Sequence, residues 1–97
     1  MLVMVTGTYP LKSNKKVVEA FIKTSKKPMS HANNIGTWAC LGGEGMNFWS
    51  VYELEKGREE EGLMELAKSE VHFYDIEGYK VNYQNVVKPE DAISLLE

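Results

Sequence analysis

Residues 35–54 constrain this chain more than any other stretch. They read as one β-hairpin with large apolar or aromatic side chains on both faces of both strands. The first strand is Ile35-Gly36-Thr37-Trp38-Ala39-Cys40-Leu41, the turn is Gly42-Gly43-Glu44-Gly45, and the second strand runs from Met46 to Leu54. Successive side chains of a strand point to opposite faces. A two-residue loop at Gly43-Glu44 therefore sets Trp38 opposite Trp49. Ile35, Ala39 and Leu41 then share the other face with Met46, Phe48, Tyr52 and Leu54. Both faces need cover, and 97 residues supply helices enough for only one.

The flanking segments supply that one layer. Leu2–Tyr9 is rich in Val, Thr and Tyr and reads as a strand ended by Pro10. Ser13 or Asn14 is placed to cap a helix running to Ser25, with Val17, Val18, Phe21 and Ile22 as its apolar stripe. Residues 29–34 read as a loop. After Gly57 the pattern predicts a second helix over Arg58–Ser69. Its first turn holds Glu59, Glu60 and Glu61, where negative charge complements the helix dipole. Leu63, Leu66, Ala67 and Val71 form its buried stripe. A turn at Asp75–Gly78 leads to a last strand, Tyr79–Val87, and Pro89 opens a short C-terminal helix ending near Leu96. The order β-α-β-β-α-β predicts an α+β, ferredoxin-like βαββαβ plait: a four-stranded antiparallel sheet with two helices on one face and a short helix at the end. Residues 1–97 are expected to form a single ferredoxin-like domain.

Ile35, Ala39, Leu41, Met46, Phe48, Tyr52 and Leu54, with Val81 and Tyr83, are expected beneath the helices. Trp38, Cys40, Asn47, Trp49, Val51, Lys80, Asn82 and Gln84 are then left on the open face. Four strands of ordinary length present on the order of 350 Å² of sheet there, within the range at which an exposed patch marks an interaction site. Aromatic rings beside amides suit an interface between two copies that encloses a cavity.

Composition excludes several classes. A chain with 43% apolar and 26% charged residues is ordinarily globular. One cysteine, Cys40, cannot form an internal bridge, and a strand position without a basic neighbour makes it a packing residue. The start of the chain lacks a basic leader and no apolar run approaches the length of a membrane span, so a cytoplasmic protein without membrane contact is expected. Residues 1–43 carry six lysines against Glu19 alone, while residues 44–97 carry thirteen acidic and five basic residues. A lysine-rich helix beside a glutamate-rich one accounts for that asymmetry. The acidic balance overall argues against nucleic acid. So does Glu44-Gly45-Met46-Asn47-Phe48, which lacks the basic residue and first aromatic of the RNA-recognition signature. His31 and His72 show no metal-ligand spacing with Cys40 or a carboxylate, and neither a metal nor another cofactor is expected.

The motifs resemble those of the dimeric α/β-barrel superfamily, in which two ferredoxin-like subunits pack sheet against sheet. More closely, the chain is similar to a family of small uncharacterised bacterial proteins within it. The likeness rests on the opening strand M-L-V-M-V-T-G-T-Y and on Gly36-Thr37-Trp38. It rests also on Gly42-Gly43-Glu44-Gly45 with Val51-Tyr52-Glu53, and on the final strand before Pro89-Glu90-Asp91. Tyr83-Gln84-Asn85 stands where the family pattern places a proline. The resemblance implies the fold and a homodimer, and no activity.

The leading expectation is a homodimer that binds a small apolar or aromatic ligand with one polar end. The candidate ligand-binding residues are Trp38, Asn47, Trp49, Val51, Asn82 and Gln84, with His72 in a flap between the second helix and the last strand. One alternative is a cofactor-independent monooxygenase: distant relatives in the superfamily use asparagine and tryptophan, and Asn47 beside Trp38 and Trp49 matches in residue type. Another is a dimer with a purely structural or regulatory role.

Overall fold

The computed structural model describes residues 1–43 and 45–94. Four strands are present: β1 (Leu2–Pro10), β2 (Ala32–Gly42), β3 (Gly45–Leu54) and β4 (Lys80–Val86). The helices are α1 (Asn14–Ser25), α2 (Glu59–Glu70) and α3 (Pro89–Ser94), and a 3-10 turn, Val71–Phe73, extends α2. The sheet order is β2-β3-β1-β4, and β1 pairs antiparallel with both β3 and β4. This is the expected ferredoxin-like α+β plait. Among the described residues no helix is long and apolar enough to cross a membrane. The expected end of α3 near Leu96 and the Glu44 half of the hairpin loop lie outside the described residues.

The hairpin register agrees with its turn. Gly42 pairs with Gly45, and Gly43 has φ +56°, a left-handed conformation that glycine adopts without steric cost. Trp38 therefore faces Trp49, their rings stacked with centroids 6.4 Å apart. Each face also sets an aromatic ring over a glycine. A Cβ on Gly36 would come within 2.5 Å of the Trp38 ring, and one on Gly7 would collide with the Phe48 ring. The Gly36-Thr37-Trp38 motif is in this sense a bed for an indole.

Three expectations need correction. First, β2 begins at Ala32 and carries a bulge: Asn34 pairs with Tyr52 and Gly36 with Val51, leaving Ile35 as the extra residue. The bulge switches the alternation, so Ala32 and Asn34 share the helix-side face with Thr37, Ala39 and Leu41. Ile35 is 53% exposed, and Leu41, at the far end of an edge strand, is 68% exposed. Second, the helix stripes are narrower than their periodicity suggests. Val17 and Ala20 are buried on α1 but Val18, Phe21 and Ile22 are not; on α2 the buried residues are Gly62 and Leu66, while Leu63, Ala67 and Val71 are exposed. Third, neither expected cap engages the start of α1. Ser13 Oγ donates instead to the Glu77 carbonyl at 2.8 Å, and Asn14 Oδ1 accepts from the Tyr9 hydroxyl at 2.8 Å.

The narrow stripes have a packing cause. The core is split in two. One cluster joins Val3, Val5, Ala32, Leu54 and Leu66; the other joins Tyr9, Val17, Ala20, Phe73 and Ile76. Helix α1 seats on the sheet through its first two turns and stands off along the rest. Replacing Leu66 with alanine should cost about 2–5 kcal/mol, as expected for a fully enclosed leucine. Leu41→Ala should change stability by less than about 0.5 kcal/mol. Urea midpoints of the two variants against the parent test this split.

Candidate functional site

The gap between the two core clusters is a half-open cavity of about 510 Å³ under the helix layer, with Thr37, Ala39 and Phe21 exposed along it. Its floor is the sheet: Val5 and Tyr9 of β1, Thr37 and Ala39 of β2, Phe48, Ser50 and Tyr52 of β3, and Tyr83 of β4. Val18 and Phe21 of α1 form the roof, Lys27, Pro28 and Met29 lie at one end, and Leu66, Ser69 and Glu70 of α2 with Phe73 and Tyr79 close the other side. Half-exposed Val18 and Phe21 are thus wall residues. A volume of this size suits a small organic molecule.

Polar groups converge on its α2 side. Glu70 lies one helical turn after Leu66, so the apolar stripe of α2 carries the carboxylate inward. The Tyr79 hydroxyl donates to Glu70 Oε2 at 3.3 Å, and the Tyr83 hydroxyl, 3.5 Å from the Leu66 carbonyl, also reaches the Glu70 carboxylate. Burial raises the Glu70 pKa above its ordinary value, and the two phenols only partly offset this. Burial, reinforced by the Glu70 charge, pushes Tyr79 and Tyr83 far up, so both remain neutral donors. Tyr52 is raised for the same first reason, with Asn34 and Ser50 opposing. Across the floor the Thr37 and Ser50 hydroxyls hydrogen-bond at 2.8 Å. Tyr79 is also held by stacking, 5.0 Å from Phe73 and 5.8 Å from Phe48 between ring centroids.

The residues singled out from the sequence fall elsewhere. Strand register puts Trp38, Asn47, Trp49, Val51, Asn82 and Gln84 together on the open face, with Met4, Thr6 and Thr8. That face is the reverse of the one lining the cavity. His72 is exposed in the 3-10 turn after α2 and lines neither the cavity nor the open face. Cys40 is exposed on the open face, not packed as expected, because no described element covers that side of β2. His31 lies at the start of β2, with Nδ1 2.6 Å from Glu55 and Nε2 3.2 Å from Glu61. Glu65 accepts the backbone N–H groups of Ser30 and His31, so this cluster ties the β2 entrance to α2. Among the described residues no group of three His, Cys, Asp or Glu side chains could hold a metal.

Glu70, Tyr52, Tyr79 and Tyr83 form the group that sequence patterning passed over. A signal was present. Glu70 continues the Leu63–Leu66–Ala67 helical spacing, and Tyr79, Val81 and Tyr83 alternate along one strand face. A carboxylate on an apolar stripe ordinarily marks an interior polar site.

Comparison with known proteins adds to the fold and not to the site. No family model matches the chain, and no curated protein matches it in sequence. Among solved structures it is similar to the C-terminal domain of the MgtC protein from Mycobacterium tuberculosis. The TM-score is 0.50 at 12% identity, over 86% of this chain and 84% of that one. Identity at that level speaks for shared architecture alone.

The raised Glu70 pKa also bears on stability. The folded state holds this proton more tightly than the unfolded chain, so Glu70 lowers stability as pH rises above its ordinary value of 4.5 through the folded-state pKa. Glu70→Gln should therefore melt above the parent near neutrality, and the difference should close as the pH falls below about 4.5. Thermal denaturation at a series of pH values measures it.

Proposed function

We propose that this chain is a homodimeric small-molecule-binding protein of the dimeric α/β-barrel type. Its ligand, apolar or aromatic with one polar end, occupies the cavity under the helices, and its open sheet face packs against a second copy. The observation that carries the ligand reading is the cavity: about 510 Å³, walled by Phe21, Phe48, Phe73 and Leu66 and ending in the Glu70–tyrosine cluster. The divided core leaves Val18 and Phe21 half-exposed at its wall, apolar surface that a ligand would cover at about 25 cal/mol per Å². The dimer reading draws support from the open face, where Trp38 is 48% exposed beside Trp49 with no described helix above them. A reducing cytoplasm suits the exposed, unpaired Cys40.

Nile red, a neutral apolar dye with one polar end, probes the cavity. It should bind the parent with enhanced emission, and Ala39→Trp, which fills the floor, should weaken binding by roughly ten-fold or more. Equal binding by the two would show that the dye sits elsewhere and would sink the cavity reading. Sedimentation velocity tests the second half of the proposal. The parent should sediment as a dimer at micromolar concentration and Trp38→Glu as a monomer; a monomeric parent would remove the open face as an interface.

A further inference from the structure

Glu70 presents a problem of charge. It is half-buried against the cavity, and among the described residues it makes no ion pair. Its protein partners, Tyr79 and Tyr83, are neutral donors that solvate the carboxylate without balancing it. Removing a carboxylate from water is costly unless a cation accompanies it. Among the described residues the only other charged side chain lining the cavity is Lys27, exposed in the turn after α1. A ligand's polar end placed beside Glu70 therefore meets one negative charge, two phenols and the faces of several aromatic rings.

We propose that the ligand of this cavity carries a protonated amine, held by the Glu70 carboxylate among Tyr52, Tyr79 and Tyr83, with its apolar part between Phe21 and Phe48. This rests on the cavity reading above and gives it a substrate class. Three features select an ammonium group over other polar ends. An anion would be repelled by Glu70. A neutral hydroxyl or carbonyl would leave the carboxylate's charge uncompensated. An ammonium group satisfies the carboxylate and is attracted to aromatic faces, an interaction that strengthens where water is excluded. Burial already disfavours the empty, ionised carboxylate, so a bound cation relieves a cost that the free protein carries.

Phenylbutylamine, phenylbutanol and phenylbutyrate form a matched series that differs only at the polar end. Displacement of Nile red and isothermal titration should show the amine binding the parent at least roughly ten-fold more tightly than the alcohol, with the butyrate weakest. In Glu70→Gln the amine should fall to the level of the alcohol while the alcohol is unchanged. Amine affinity for the parent should also decline as the pH falls through the raised Glu70 pKa and the carboxylate takes up a proton, with no such trend for the alcohol. Alcohol or butyrate binding as tightly as the amine would overturn the amine assignment and leave the cavity standing, as would a preference that survives Glu70→Gln. Failure of Nile red and all three compounds to bind would overturn both readings. The series on the parent protein decides the matter by itself.

Discussion

Both faces of this protein depend on one register. Gly42 opposite Gly45 fixes Trp38 opposite Trp49, and every other assignment along β2 and β3 is set by that pairing until the bulge at Ile35. A slip of one residue would send Phe48 and Tyr52 to the open side and Trp49 beneath the helices. Strand β1 carries the same choice across the sheet, pairing Thr6 with Trp49 and with Asn82. The glycines reinforce it. Trp38 lies over Gly36 on one face and Phe48 over Gly7 on the other, and neither ring could lie flat over a residue with a side chain.

On the helix side the same register delivers more polar groups inward than a dry core would hold. Tyr52, Tyr83, Ser50 and Thr37 all alternate onto the face that should be the core, and Glu70 meets them from α2. Thr37 bonds Ser50, Tyr79 donates to Glu70 and the Tyr83 hydroxyl lies 3.5 Å from the Leu66 carbonyl, and none of the buried side-chain polar atoms among the described residues lacks a partner. A satisfied polar interior of this kind resists collapse, because closing α1 onto it would strip water from Glu70 without supplying a countercharge. The divided core, the half-exposed Phe21 and the raised Glu70 pKa are three views of that single constraint.

Much of the architecture was legible in particular residues. Pro10, Gly57 and Pro89 mark element ends within a residue or two, and the Gly-rich turn predicts the Trp38–Trp49 pairing that is observed. Partition of the two faces was also legible for Met46, Phe48, Tyr52 and Leu54, whose alternation is uninterrupted. It failed at Ile35, where a bulge makes one residue extra; Gly36 beside it was the local signal, since a glycine inside a strand often marks a bulge. The candidate site was less legible. Periodicity identified the stripe on α2 but not that Glu70 continues it into a cavity, because a pattern of apolar positions does not report how far apart two layers stand.

Local chemistry along the chain was therefore sufficient for the strands, the helices, their order and the face each uninterrupted strand presents, since these depend on alternation, turn geometry and neighbours in sequence. Tertiary structure alone decided where the empty space lies. Whether α1 rests on the sheet or stands off it is settled by contacts between residues as distant as Val17 and Phe73, and by the cost of enclosing Glu70 among Tyr52, Tyr79 and Tyr83. Those energies arise only when α2, β3 and β4 are brought together, so the interest of the hairpin moves from its two tryptophans to the reverse face that Phe48 and Tyr52 build.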